Sequence, residues 1–409
     1  MSDTTDRPLS GIRVTGVEQY MAGPYCTLLL ADAGAEVIKI ERPGGGDPRR
    51  AMPPFAEKDG ARKAAGFMGY NRNKKSLALN LRDPRGQEVF RKLAMCSDVV
   101  VENLRPGSMS KMGLGHKDMR ALKPELVWAI ISGFGRMDGY RGPYADRPAF
   151  DIVAEGMSGM MDLVGFADKP PSWTIYGLAD IYSGLVTAFG ITQALLMRQR
   201  TGRGQLVDSA MFDNMLSLNE QMVSYYSVAG EVPERGKPKN YYPRGAFRTK
   251  DGYLALHCPD DILWKRLAGV LGRPDLAEDE RTATATARCA NIEMLEPIIN
   301  EALGSMTRDE AVEKLNGAGV PCGPVNTVED IFRDPQVEAR RMLMPVDDPK
   351  VGSFLFVRTP PHLSEAPEPP AEPAPELGQH TREILEGLLD YTPGDVDALE
   401  EDGVIETGE

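Results

Sequence analysis

Residues 12–40 of this chain read IRVTGVEQYMAGPYCTLLLADAGAEVIKI, and their pattern decides the fold. Ile12–Val17 and Glu36–Ile40 are short runs rich in β-branched residues, which is typical of strands. The segment Pro24–Ala33 between them has a helical pattern, and Gly34 is a residue type that commonly ends a helix. A strand, a helix and a second strand in this order predict an α/β fold with a parallel sheet.

The same alternation continues along the chain. Arg85–Met95 is amphipathic, with its apolar side chains at helical spacing. Val99–Val101 and Val127–Ile131 are short and wholly apolar, which is typical of strands covered on both faces. Helical patterns follow over Asp151–Asp162 and over Tyr182–Arg200, where Thr201-Gly202-Arg203-Gly204 is a clear stop signal. We therefore expect further strands of the parallel sheet, with helices against both faces.

Composition changes along the chain indicate its domain organisation. A Pro-, Gly-, Lys- and Tyr-rich linker is expected from Val228 to Gly245, followed by a hairpin with Asp251-Gly252 at its turn. Three helical patterns then form a smaller α+β domain, and a Pro-, Glu- and Ala-rich connector returns from Ser364 to Leu377 before a last helix at Thr381–Leu389. The predicted parts are 1–227, 228–335 and 336–409.

Charge is unevenly distributed. The net charge is −13, and residues 361–409 alone contain 14 acidic residues and one basic residue. Residues 31–120 have 18 basic and 11 acidic residues, a local excess that can receive a polyanionic ligand. The mixture of signs and the acidic total argue against a nucleic-acid surface.

Other residue types exclude several classes of protein. Five cysteines are scattered without a CxxC pair, which indicates reduced thiols and a cytoplasmic location. Four isolated histidines lack the spacing of metal ligands, so no metal site is expected. We find no uninterrupted apolar run long enough to cross a bilayer, and the polar, acidic first residues do not form a secretory signal.

An aspartate lies at the start of the long apolar helix. Asp180 lies in the run GLADIYSG, residues 177–184. An Asp at this position is often simply an N-cap. Alternatively, the positive end of the helix keeps the carboxylate ionised at neutral pH, and it can attack an activated acyl carbon. The run by itself leaves both interpretations open.

Seven strings of residues, in this order, decide between them. Together they resemble the CoA-transferases of family III, a group that includes formyl-CoA transferase, carnitine CoA-transferases and α-methylacyl-CoA racemases. The likeness runs from Leu9 to Thr381, with the Asp180 helix correctly placed. The strings are AGP at 22–24, VIKIERP at 37–43, NRNKKSLALNL at 71–81, VENLRPG at 101–107, RPAFD at 147–151, TGRGQ at 201–205 and GVPCGPV at 319–325.

The resemblance implies a fold and a mechanism. It implies a Rossmann-like large domain built from both chain ends, a smaller domain, and a homodimer of two interlocked rings. Asp180 matches the nucleophile that attacks the thioester carbonyl of an acyl-CoA, giving a mixed anhydride and CoA thiolate. The oxyanions that form would require N–H donors, for which we look to the small residues around Gly177 and Gly184.

The resemblance also implies which residues bind substrate. CoA is expected as part of the substrate and no cofactor as permanently bound; the partners are an acyl-CoA and a carboxylic acid. Arg42, Arg82 and Lys111 are expected at the CoA phosphates, Leu79 and Met112 near the adenine, and Lys74 and Lys75 as outer contacts. Phe150 and Met21 are expected in the substrate pocket, with Tyr176 in an aromatic wall and Arg147 at the second carboxylate of a diacid.

Three departures from the family pattern leave two alternatives. Phe150 replaces the histidine of the racemase branch, so one base for α-proton exchange is missing. Met21 replaces a polar amide residue, and the tetraglycine loop is absent around Asn240–Gly245, which disfavours formyl and oxalyl substrates. One alternative is an acyl-CoA racemase or epimerase using Asp151, Asp180 and another base, marked by deuterium uptake at the α-carbon without an acceptor acid. The other is a non-catalytic CoA-binding scaffold, marked by loss of the nucleophile.

Overall fold

The computed structural model describes residues 7–236 and 241–408. Its strands are β1 (Arg13–Val17), β2 (Glu36–Glu41), β3 (Phe55–Lys58), β4 (Ala61–Ala64), β5 (Lys74–Leu79), β6 (Val99–Glu102), β7 (Val127–Ser132), β8 (Leu206–Ala210), β9 (Arg244–Arg248), β10 (Tyr253–His257), β11 (Cys322–Pro324), β12 (Leu343–Asp348), β13 (Gly352–Val357) and β14 (Ile405–Glu406).

The helices are α1 (Ala22–Asp32), α2 (Ala65–Asn71), α3 (Pro84–Cys96), α4 (Ser108–Lys111), α5 (His116–Leu122), α6 (Asp151–Met157), α7 (Met160–Leu163), α8 (Leu178–Thr201), α9 (Met211–Leu218), α10 (Glu220–Ala229), α11 (Asp261–Val270), α12 (Ala285–Ala290), α13 (Ile292–Gly304), α14 (Arg308–Gly317), α15 (Val328–Ile331), α16 (Pro335–Ala339), α17 (Thr381–Gly387) and α18 (Pro393–Glu401). Short 3-10 helices lie at Pro48–Ala51 and Pro274–Ala277.

The central sheet has seven strands in the order β14-β5-β2-β1-β6-β7-β8. Every neighbouring pair is parallel except β14 with β5. Without β14, the strands stand in the order third, second, first, fourth, fifth and sixth, which is the Rossmann order. The predicted α/β fold with a mainly parallel sheet is confirmed. In such a sheet, ligands bind beyond the carboxyl ends of the strands, where the order reverses beside β1.

Helices cover both faces of this sheet because its strands are apolar on both sides. In β6, Val100 packs in one core with α3, α17 and α18. Val99 and Val101 point the other way, into a core with α1 and α8. The alternation of side chains along a strand explains why the continuous valine run serves two layers.

Helix α8 is the one described helix that is long and apolar enough to cross a membrane by length and composition. The sequence analysis, which found no such run, missed it. In this fold Ala188, Ile191 and Leu195 of α8 are buried in the core beneath the sheet. The apolarity of α8 is therefore used in packing against the sheet and α1.

The described residues form two compact units. One comprises those of Met1–Gly165, Pro170–Pro233 and Arg341–Glu409, and the other those of Phe166–Lys169 and Glu234–Arg340. The second unit has a three-stranded antiparallel sheet, β11-β10-β9, with a core around Trp264. Its β9–β10 hairpin turns at Asp251-Gly252, as expected. Residues 237–240 of the expected linker, and Asn240 of the loop comparison, lie outside the described residues.

Two sequence expectations about elements are wrong. The expected helix Asp151–Asp162 is two helices, because Gly159 adopts a left-handed φ of 84° between α6 and α7. The chain does not end its regular structure with the helix at Thr381, since α18 and β14 follow it. Strand β14 joins the sheet edge, where Ile405 pairs with Leu79. A two-residue strand carries too little periodicity to be recognised.

Candidate active site

Asp180 lies in the first turn of α8, at the point where this helix meets α1. Gly177 precedes α8 with φ 84°, a left-handed conformation that favours glycine. A Cβ at Gly177 would lie 2.3 Å from Cε of Met21, the residue before α1. A Cβ at Gly184 would lie 2.8 Å from the carbonyl oxygen of Ala22. The two glycines therefore allow the close helix contact that positions Asp180.

The cap of α8 comes from another helix. The Asp151 carboxylate, in the first turn of α6, accepts the backbone N–H of Ala179 at 2.6 Å and that of Gly177 at 3.2 Å. The N-cap interpretation of Asp180 is therefore wrong. So is the expectation that Gly177 offers a free N–H to an oxyanion, because Asp151 occupies that donor. Gly184 is likewise a packing residue, since α1 lies directly against it.

The Asp180 carboxylate makes no hydrogen bond in the described part of the chain. Burial, and next the negative charge of Asp151, raise its pKa to about 7, while Arg49 acts in the opposite direction. This raised pKa does not support the expectation that the helix start keeps the carboxylate ionised at neutral pH. The helix dipole does not outweigh desolvation and a second carboxylate.

Arg49 and Tyr70 interact electrostatically with this carboxylate, and Tyr176 contacts Arg49. Nη1 of Arg49 donates to the hydroxyl of Tyr176 at 3.2 Å. Its Cζ lies 5.8 Å from the Tyr70 ring centroid and 5.7 Å from that of Tyr176. Burial, and then Asp180 among other neighbours, raise the pKa of Tyr70. Sequence analysis placed Tyr176 here but missed Arg49 and Tyr70, because their own segments carry no catalytic motif.

A buried network of charges holds Arg49 in place. Glu18 and Asp47 both form ion pairs with Lys39, and all three side chains are fully buried or nearly so. Although burial alone would raise it, Lys39 and Lys74 hold the pKa of Glu18 at about 2. Asp47 then accepts the backbone N–H of Arg49 at 2.9 Å. This arrangement fixes the turn that carries Arg49.

Two other expected pocket residues, Phe150 and Arg147, have exposed side chains. Phe150 is 66% exposed and meets Tyr20 edge-on, with the ring centroids 6.2 Å apart. It precedes α6, so it neighbours Asp151 along the chain. Arg147 is exposed and stacks on Tyr144 at 4.2 Å. No described contact joins Arg147 to Asp180, so the structure does not support its expected role at a diacid.

Three of the expected phosphate ligands share one edge of the sheet. Arg42 directly follows β2, Arg82 comes shortly after β5, and Lys111 ends α4, which follows β6. All three are exposed, and Met112 beside Lys111 is half-buried. Carboxyl ends of parallel strands lie at the same edge, so these charges are available to one polyanion.

The three remaining residues that were expected to contact CoA make other contacts instead. The Lys74 ammonium is buried and donates to Glu18, Asn71 and the Pro24 carbonyl, and burial lowers its pKa to about 8. Lys75 forms ion pairs with Glu36 at 3.0 Å and Glu383 at 2.8 Å. Leu79 is only 1% exposed and pairs with Ile405 of β14 in the sheet. None of the three positions supports the expected contact with CoA.

A cavity of about 810 Å³ lies away from Asp180, at the amino edge of the sheet. It is lined by Arg13, Glu36, Lys75 and His380, among others. It contains none of Asp151, Asp180 and Arg49. The described residues hold no cluster of three or more side chains that could bind a metal ion, and their cysteines are all free.

Comparisons with known proteins show the family of this chain. The model of CoA-transferase family III matches residues 9–381. Succinyl-CoA–D-citramalate CoA-transferase of Chloroflexus aurantiacus is 36% identical over 99% of this chain and 100% of its own. Succinyl-CoA:mesaconate CoA-transferase of Haloarcula marismortui is 38% identical over 92% and 96%.

A solved structure is similar as well. A CaiB/BaiF family protein from Brucella suis superimposes with a TM-score of 0.84 and 38% identity, over 94% of this chain and 100% of that one. The family match covers nearly the whole described sheet and includes Asp180. From the sheet order, the Asp180 site and these comparisons together, the chain belongs to CoA-transferase family III and is a CoA-transferase.

Proposed function

We propose that this protein moves CoA from succinyl-CoA, or a related acyl-CoA, to a dicarboxylic acid, with Asp180 as the nucleophile. The observation that carries the proposal is the Asp180 carboxylate, which receives no hydrogen bond from the described residues and stands beside Arg49. The two named relatives supply the substrate class, since citramalate and mesaconate are both dicarboxylic acids.

The first half of the reaction charges the enzyme. An oxygen of Asp180 attacks the thioester carbonyl carbon, the carbon–sulfur bond breaks, and CoA leaves as the thiolate. The acyl group is now joined to Asp180 as a mixed anhydride. The thiolate attacks the aspartyl carbonyl carbon, the donor acid leaves as its carboxylate, and CoA is held as an aspartyl thioester. Covalent catalysis divides one difficult exchange into easier steps.

The second half reverses these steps with a new acid. The carboxylate of the acceptor attacks the aspartyl thioester, releasing CoA thiolate and forming a second anhydride. The thiolate attacks the acyl carbon of the acceptor, and Asp180 leaves as a free carboxylate. Each step exchanges one carboxylate or thiolate for another, so no net proton, hydrolysis or external energy source is required.

The environment of Asp180 favours this role. A carboxylate with strong hydrogen bonds would be a poor nucleophile, because those bonds would be lost in the transition state. Asp151 takes the helix N–H groups that would otherwise stabilise Asp180, leaving the Asp180 oxygens available. The pKa of about 7 means that roughly half of the free enzyme carries the reactive carboxylate at neutral pH.

For CoA we propose phosphate contacts with Arg42, Arg82 and Lys111. They are exposed at the carboxyl edge of the sheet, the edge at which doubly wound folds bind nucleotides. Met112, half-buried beside Lys111, is an apolar contact for the adenine. CoA enters and leaves as part of the substrate, so we propose no permanently bound cofactor.

We also propose a cytoplasmic, interlocked homodimer, with residues 1–227 and 336–409 as the CoA-binding domain and 228–335 as the small domain. Support comes from α8, where Leu185, Phe189 and Leu196 form an exposed apolar stripe suited to a second copy. Light scattering after size-exclusion chromatography measures the molar mass and so tests for a dimer. Two differently tagged forms, mixed after folding, should not exchange protomers if the rings are interlocked, whereas co-expressed forms should.

The proposed activity is tested with purified protein, succinyl-CoA and a panel of dicarboxylic and monocarboxylic acids, following each CoA ester by chromatography. We expect the wild type to form the dicarboxylate esters, and Asp180→Ala and Asp180→Asn to lower kcat by about 10,000-fold or more. Asp309→Asn, in the first turn of α14, is the matched control and should remain active. Transfer that survives Asp180→Ala would refute the mechanism, and deuterium uptake without an acceptor would favour a racemase.

A further inference from the structure

We infer that the Arg49 guanidinium is the subsite for the second carboxylate of a dicarboxylic substrate. This inference rests on the proposed CoA transfer and adds the residue that selects the acid. Neither the family strings nor the expected pocket residues include Arg49. It is the structure that brings Arg49 to Asp180, through the 3-10 turn at Pro48–Ala51.

The first argument is that the guanidinium is held rigidly. A Cβ on Gly66 would lie 2.5 Å from Nε of Arg49 and 2.6 Å from Nη2, so the planar group rests directly on that glycine. The rings of Tyr70 and Tyr176 flank it, and the Tyr176 hydroxyl accepts from Nη1. A group ordered in advance loses little entropy when it binds a ligand.

Second, the Arg49 guanidinium forms no close ion pair with any described residue, unlike its cationic neighbours. Nearby Lys39 is paired with Glu18 and Asp47, and Arg50 is paired with Glu41. Within the described ranges, Arg49 forms no ion pair with any carboxylate, and its buried Nε has no hydrogen-bond acceptor. The one described side-chain hydrogen bond of Arg49 goes to Tyr176, so the guanidinium has N–H groups available to a carboxylate.

The third argument is chemical fit. A guanidinium presents parallel N–H groups that match a carboxylate in two bonds. Its position beside Asp180 allows one carboxyl carbon of a short diacid to react while the other carboxylate pairs with Arg49. A monocarboxylate of equal length would leave Arg49 unpaired, so the site should discriminate against it. Arg147, stacked on Tyr144 in an exposed position, offers no comparable arrangement.

The test uses succinyl-CoA as the donor and compares two acceptors, 13C-labelled succinate, whose CoA ester differs from the donor in mass, and butyrate, which has the same chain length but ends in a methyl group. In ping-pong kinetics, kcat/KM for the acceptor acid reports the second half-reaction and does not depend on the donor. The variants are Arg49→Met, Arg49→Lys and Arg49→Gln. Arg62→Met is the matched control, because Arg62 also lies over an aromatic ring, at 3.6 Å from Phe55, but is exposed on β4. Circular dichroism checks the fold of each variant.

We expect the wild type to prefer succinate by about 10- to 100-fold, the range of one hydrogen-bonded charge pair. Arg49→Met and Arg49→Gln should bring the ratio close to one, chiefly by slowing succinate, and Arg49→Lys should restore part of it. Arg62→Met should keep the preference. The ratio cancels any effect of Arg49 on the reactivity of Asp180 itself.

Three results would overturn the inference. Equal slowing of both acids in Arg49→Met would mean that Arg49 acts only on Asp180 or on the fold. Loss of the preference in Arg147→Met, with Arg49→Met unaffected, would assign the subsite to Arg147. Absence of transfer to either acid by the wild type would instead remove the proposed function, and the Arg49 subsite with it.

Discussion

Replacing Asp151 with asparagine should move the acid limb of the pH–rate profile to lower pH. Asp151 is the second cause, after burial, of the rise of the Asp180 pKa to about 7 from an ordinary 3.8. That rise corresponds to about 4 kcal/mol that disfavour the carboxylate form. Removing one negative charge removes part of it, so the pKa should fall part of the way towards the ordinary value. A fall of about one unit is expected from a single nearby charge.

The assay is kcat/KM for the acyl-CoA between pH 5 and pH 9, because this quantity reports the ionisation of the free enzyme. In the wild type the rate should rise with pH to a plateau, with its midpoint near 7. In Asp151→Asn the midpoint should lie about one unit lower. The amide oxygen can still accept an N–H of α8, so the loss of stability should stay near 1 kcal/mol. An unchanged midpoint in a folded variant would refute the electrostatic argument.

Three further changes test other parts of the structure. Because folding raises the pKa of Asp180, the carboxylate costs stability above its folded pKa of about 7 and nothing below its unfolded value. Asp180→Asn should therefore increase the free energy of unfolding at pH 8 by about 1–3 kcal/mol after discounting for partial exposure, which raises the Tm by a few degrees. The gain should be smaller at pH 5. Equal gains at both pH values would contradict this. Lys39→Met leaves Asp47 without its cation and Glu18 with Lys74 alone, so denaturant unfolding should show a loss of about 3–5 kcal/mol, and an unaltered midpoint would disprove the burial argument. Arg42→Ala and Lys111→Ala should each raise the KM for acyl-CoA about 5- to 10-fold, and the increase should be larger at low salt. Replacement of the exposed Arg62 with alanine should leave this KM unchanged. An effect on KM that does not depend on salt would count against phosphate contacts.

Local patterns were enough to predict the sheet but not its edge. The runs at Val99–Val101 and Val127–Ile131 are continuous and apolar because both faces are covered, and both are strands, as is the β-branched run at Ile12–Val17. The segment Ile405–Glu406 is too short to show a period, and it becomes a strand only because β5 offers an unpaired edge. Pairing between distant segments is tertiary information.

The candidate site shows the same division. Asp180 could be found because its motif is local and its place among the seven strings is fixed. The raised pKa of Asp180 could not be predicted, because Asp151 and Arg49 approach from other elements. Lys74 is a residue type that commonly binds phosphate, yet its side chain points inward and pairs with Glu18. A charge near a binding motif does not indicate which way its side chain turns.

The most direct test of the mechanism is a covalent mark on one residue. The protein is incubated with succinyl-CoA, quenched with hydroxylamine, digested and mapped by mass spectrometry. The account predicts a hydroxamate at Asp180 that requires the acyl-CoA and is absent from Asp180→Asn. An unmodified Asp180 in protein that is turning over, or a hydroxamate on another carboxylate, would contradict it.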